Sequence, residues 1–180
     1  MNDVVLTLIG SDRPGLVEAV AAVIASHGGN WLESRMTRLA GKFAGILRAE
    51  LPAGRTSDAV RALAALEARG LRVVVETVPR GESATAPAPV RMHLELVGVD
   101  RPGIVREVSQ LLATHAVNVE ELVTDCVSAP MSGETLFEAR ADVTVPSSTD
   151  VNQLRAALAR TATDLMVDVK LVERPPSRKA

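Results

Sequence analysis

The chain has 180 residues, 20 of them Lys or Arg and 22 Asp or Glu, for a formal charge of −2. A balance this even, without a dense basic run, announces no nucleic-acid surface, and the only aromatics, Trp31, Phe43 and Phe137, leave no stacking platform for RNA. The lone Cys126 rules out an internal disulfide and a cysteine-rich metal site, and the lack of a signal-like leader or of an apolar run near the roughly 20 residues that span a bilayer leads us to expect a cytoplasmic protein.

Val4 to Ile9 is apolar and β-branched and is predicted to form a buried strand ending at Gly10. Leu16, Val20, Val23 or Ile24, and His27 fall at helical spacing, which predicts a helix from about Gly15 to His27, stopped by Gly28-Gly29. Trp31 to Arg38 and Phe43 to Leu51 flank a short turn at Ala40-Gly41-Lys42 and predict a hairpin. Ser57-Asp58 supply capping chemistry for a second helix with the stripe Ala59, Leu63 and Leu66, which ends at Gly70 before a last strand from Leu71.

The same order returns in the second half: Val90 to Val97, Gly103 to His115, Val117 to Val127, Glu134 to Val145, Val151 to Thr161 and Leu165 to Val172. The segment Ile9-Gly10-Ser11-Asp12-Arg13-Pro14-Gly15-Leu16-Val17 recurs as Val97-Gly98-Val99-Asp100-Arg101-Pro102-Gly103-Ile104-Val105, and His27 and Asn30 recur as His115 and Asn118 at the same offset. The repeated unit is therefore a whole domain. The expected fold is α+β, two ferredoxin-like βαββαβ domains in tandem. The expected boundaries are 1–79 and 90–174, with a Pro/Ala-rich linker over 80–89 and a disordered tail over 175–180. One face of each sheet should be covered by its helices. The other is polar in the second half but mixed in the first, where Val5, Ile9, Val74 and Val78 stand among Thr7, Arg72 and Glu76, and that face is expected to be a contact surface.

Asp-Arg-Pro-Gly sits where the first strand of each domain turns into its first helix. The helix start leaves N–H groups unpaired at the positive end of the dipole, a natural seat for a small carboxylate. Asp12 and Asp100 either cap these helices or serve a ligand. Asn30 and Asn118 open the next strand, about 20 Å away along the first helix, so they cannot easily share a pocket with the loop of their own domain; they take part in a site only if the two domains pair, and otherwise act as turn residues. His27 and His115 suit helix C-termini. His93 lies on an open sheet face, and Cys126 reads as a small strand residue. No nucleophile elbow, phosphate loop, metal triad or dinucleotide fingerprint is present, so an enzyme is not expected.

The repeat, the Asp-x-Pro-Gly-Leu/Ile-Val helix start and the later Asn resemble the ACT domain, a regulatory module that binds amino acids. Two such units, with the longer hairpin segment Ala129 to Phe137 in the second, are similar to the glycine-cleavage-system transcriptional repressor family. The resemblance implies a non-catalytic regulatory protein that binds a small amino acid such as glycine or serine, uses no cofactor, and acts indirectly on transcription through a regulatory protein partner; a homodimer is expected, with no direct contact to nucleic acid or membrane. The implied ligand-binding positions are Gly10, Asp12, Gly15, Leu16 and Asn30, with Gly98, Asp100, Gly103, Ile104 and Asn118 in the second copy. Arg13 and Arg101 add a positive charge to each loop and face either ligand or solvent. The alternatives are a structural oligomerisation module and a small ferredoxin-like enzyme.

Overall fold

The computed structural model describes residues 1–78, 89–129 and 133–173. The chain divides into two compact units at 84/85; that point, nearly all of the expected linker and the expected tail lie outside the described residues.

In the first unit, β1 (Asn2–Ser11) alternates from Val4 onward: Val4, Leu6 and Leu8 are buried while Thr7 and Ile9, part of the strand expected to be buried, are exposed. α1 (Leu16–Ser26) buries Leu16, Ala19, Val20 and Ile24, one helical face laid on the sheet. Its end is closed by Gly28, at φ 71, and by the Gly29 amide donating to the Ile24 carbonyl, a reversal that glycine adopts without strain. β2 (Asn30–Leu39) and β3 (Lys42–Leu51) are joined through Ala40 and Gly41, both at positive φ, the turn whose twist matches paired strands. α2 (Thr56–Ala64) and β4 (Leu71–Val78) complete the unit, and the strand order is β2-β3-β1-β4 with antiparallel pairings throughout.

The capping assigned to Ser57-Asp58 is corrected. α2 starts at Thr56 with no side-chain cap, because a 3₁₀ turn over Ala53–Arg55 leads directly into it; the Pro52 carbonyl there accepts from the Arg55 amide and the Thr56 hydroxyl. The expected stripe of Ala59, Leu63 and Leu66 is buried, and burial of each leucine contributes about 1.5–3 kcal/mol.

The second unit repeats the plan with β5 (Val90–Val99), α3 (Ile104–Thr114), β6 (Asn118–Ser128), β7 (Thr135–Val145), α4 (Val151–Leu165) and β8 (Val167–Glu173), in the order β6-β7-β5-β8. This is the expected α+β architecture, two ferredoxin-like units in tandem. Asp150 caps α4, accepting from the Asn152 and Gln153 amides. The helix outruns the expected end at Thr161: Ala162 and Leu165 continue the buried stripe of Leu154, Ala157 and Leu158, and only Met166, left-handed at φ 52, stops it. In the hairpin segment, 130–132 lie outside the described residues, and the Ala129 amide donates to the Glu134 carbonyl across its base.

Candidate functional site

The Asp-Arg-Pro-Gly loops are held in the same way in both units. Just past the end of β1, the Asp12 amide donates to the Gly41 carbonyl at 3.0 Å; the Asp100 amide donates to the Thr135 carbonyl at 2.9 Å. Each loop is thereby tied to the hairpin beside it. Gly15 (φ 89) and Gly103 (φ 102) take the N-cap positions of α1 and α3 in a left-handed conformation that a side chain would strain. Neither helix has a side-chain cap. The N-cap positions are held by Gly15 and Gly103 and not by Asp12 and Asp100, which corrects one of the two roles open to the aspartates, and among the described residues no side chain accepts from the first amides of α1 and α3.

The carboxylates differ between the units. Asp12 makes an ion pair with Arg38 on β2, Nε to Oδ2 at 3.0 Å. The position matching Arg38 in the second half is Cys126, exposed on β6. Partial desolvation, then the charges of Asp100 and Asp125, push the Cys126 thiol pKa up. Sequence reasoning missed Arg38: the break in the repeat at Arg38/Cys126 is visible in the chain, but not that this strand position looks onto the loop.

Both arginines are engaged within their own unit. Arg13 Nη2 donates to the Arg69 carbonyl and Arg101 Nη2 to the Asp164 carbonyl, the latter at 2.8 Å. The Arg13 guanidinium thus sits at the end of a 3₁₀ turn over Ala65–Arg69, which follows α2 where the helix was expected to run on to Gly70, and the Arg101 guanidinium sits at the negative, C-terminal end of α4. Gly10 and Gly98 serve close packing: a Cβ at Gly10 would lie 2.5 Å from the Gly70 carbonyl oxygen, and one at Gly98 would lie 2.4 Å from Val167 Cγ1. Leu16 and Ile104 send their side chains into the core, leaving their amides as the groups available to a ligand.

Asn30 and Asn118 open β2 and β6 as expected, both exposed. Asn30 pairs with Glu50, which pairs with Asp3 at the start of β1, whereas the loop follows Ser11 at the strand's other end. Eight residues of strand separate them, about 27 Å, so neither unit brings its own loop and Asn together. His27 and His115 end their helices, and His27 Nδ1 lies 2.8 Å from the Val23 carbonyl. His93 lies 2.8 Å from Asp142 on the polar open face. Among the described residues no cluster of His, Cys, Asp and Glu could hold a metal ion.

The second unit also carries an apolar groove between α3 and its edge strand, lined by Val105, Val108, Leu112, Val119, Leu122 and Phe137. Val105, Val119 and Leu122 are left exposed at its rim.

Residues 2–76 match the family model of the ACT domain. The glycine cleavage system transcriptional repressor of Escherichia coli K12 is 25% identical over 165 residues, which cover 89% of this chain and 84% of the relative. A crystal structure of a protein of unknown function from Galdieria sulphuraria is 29% identical with a TM-score of 0.85, covering 97% of this chain and 99% of that one. A structure of a candidate glycine cleavage system transcriptional repressor shares the fold at a TM-score of 0.69 and 17% identity, covering 96% of this chain and 97% of that one.

Proposed function

We propose for this chain, whose residues 2–76 match the ACT domain model and which resembles the glycine cleavage system transcriptional repressor, a non-catalytic regulatory role in which a small α-amino acid is the signal and a regulatory protein of transcription is the partner. The observation that carries this reading is the pair of helix starts whose amides have no side-chain acceptor, each with an aspartate beside it that does not cap the helix. Amides and dipole suit a carboxylate, and the aspartate suits an ammonium; a zwitterion satisfies both. The buried Leu16 or Ile104 and the packed Gly10 or Gly98 leave little room for a long side chain, which favours glycine, serine or alanine over lysine or glutamate.

The Asn residues enter by pairing of ACT units, within one chain or in a homodimer, with the loop of one unit meeting the Asn of the other. The exposed apolar rim beside α3 and β6 supports such pairing. Asn118→Ala and Gly15→Ala then injure one pocket, and Asn30→Ala couples to Gly103→Ala. In double-mutant cycles the coupling is about 0.5–3 kcal/mol within a pocket and near zero across pockets; coupling inside a single unit refutes the composite arrangement.

Calorimetry with the twenty amino acids tests the ligand. Glycine, serine or alanine should bind, and N-acetylglycine or glycine methyl ester should bind roughly ten- to a hundredfold more weakly, as expected when a buried polar group loses its partner at about 1–3 kcal/mol. If no amino acid binds at millimolar concentration, the fold serves partner binding or oligomerisation alone.

A further inference from the structure

The strand registers lay out the open face of the first sheet. Thr7 stands at its centre, with Ile46 beside it on β3 and Val74 on β4. Ile9 is 50% exposed, Ile46 56%, Val74 45% and Val78 39%, and the unit's own helices lie on the opposite face. Charge is distributed along the strands. Toward the start of β1 the face carries Glu50 and Glu76 besides Arg48 and the two carboxylates it pairs with, Asp3 and Glu33, a net acidic end. Toward its end the face carries Lys42 and Arg72, with Arg35 at the edge of the central row. The face is acidic at one end, apolar in the middle and basic at the other. The second unit's face lacks this order: Glu95 holds its centre between Arg140 and Lys170, and Asp168, Glu138 and Asp125 crowd the end that is basic in the first.

We infer that the open face of the first unit docks on the same face of a second copy of this chain, about a two-fold axis that crosses the strands at the Thr7 row. That operation turns the partner end for end, so acidic meets basic, and it keeps β3 over β3 and β4 over β4. Glu76 then faces the partner's Arg72, and Glu50 faces the partner's Lys42, while Ile46, Thr7 and Val74 each pack on their own copies. An axis along the strands would instead set like ends together and is opposed by repulsion. A four-stranded face of this length covers roughly 600 Å² in plan, close to the ~800 Å² that each partner commonly buries in a stable interface. Sheets stacked in this way form a sandwich core about 10 Å thick.

Sedimentation velocity on the full chain tests the pairing. The wild type should associate with rising concentration, and Ile46→Asp, Glu76→Lys and Arg72→Glu should each weaken association at least tenfold while circular dichroism stays unchanged. Glu76 and Arg72 lie about 13 Å apart along their own strand, too far to pair within one copy. The double variant Glu76→Lys/Arg72→Glu should therefore associate as the wild type does, and so should an equimolar mixture of the two single variants, whose heterodimer regains both contacts. A wild type that stays monomeric at every concentration, an association indifferent to Ile46→Asp, or a double variant as weak as the singles overturns the inference. These readouts are independent of amino-acid binding.

Discussion

The two loops carry nearly the same residues in different electrostatic company. Arg38 already neutralises Asp12, whereas Asp100 has Cys126 at the matching position and no ion-pair partner among the described residues. An ammonium should therefore be held better at the second loop. Asp100→Asn is expected to lower amino-acid affinity about tenfold or more, the equivalent of ~1–3 kcal/mol, and Asp12→Asn much less, with calorimetry on each variant as the check. The same aspartate acts on the thiol. Cys126 is exposed, yet its raised pKa leaves less thiolate at neutral pH. It should react with a disulfide reagent more slowly than an unperturbed thiol, chiefly through desolvation and then through Asp100, and Asp100→Asn should speed the reaction; an unchanged rate contradicts the coulombic contribution of Asp100. Arg101→Ala should cost about 0.3–1 kcal/mol in denaturant unfolding by removing a cation from a helix end, and should leave ligand affinity intact.

At the scale of elements, glycines separate into those required by conformation and those required by space. Gly103→Ala places a side chain at φ 102, with Glu107 Oε1 in ordinary contact at 3.6 Å, so the cost, about 1–2 kcal/mol, is backbone strain. Gly98→Ala has no such strain but drives a methyl to within 2.9 Å of the Val167 Cα, and overpacking of that kind costs about 1–3 kcal/mol. Met166 is the reverse case. It occupies a left-handed helix terminus at φ 52 where the first unit has Gly70 at φ 75, and its side chain is 73% exposed. Met166→Gly should stabilise the second unit by up to about 1 kcal/mol, read as a rise in Tm, since the strain it relieves slightly exceeds the entropy glycine adds to the unfolded chain.

At the scale of the whole molecule, each unit has its own core, but units of this size bury only around 60–65% of the surface their unfolded chains expose. The composite sites proposed above require paired units, and such pairing would stabilise both by mutual burial. Segments 1–80 and 90–174 expressed separately should then melt below the full chain, and an amino acid that binds the full chain should raise its Tm without raising theirs. Equal melting temperatures for the halves and the whole would remove pairing as a source of stability.

The chain alone determines the tandem repeat, the order of elements and most inward-facing residues. These follow from local periodicity and turn chemistry, so the helical stripe of Ala59, Leu63 and Leu66 could be placed in the core from spacing alone. The same local reading stopped α4 at Thr161, since apolar spacing there serves helix or strand alike; packing of Ala162 and Leu165 against the sheet carried the helix on. The loops were legible as motifs, but the roles within them were not. Tertiary structure decided that Arg13 and Arg101 reach helix ends, that Gly10 and Gly98 allow strands to pack, and that Arg38 and Cys126 make the two aspartates unequal. Those facts depend on which residues from distant parts of the chain meet across strand register, and one-dimensional spacing does not encode that.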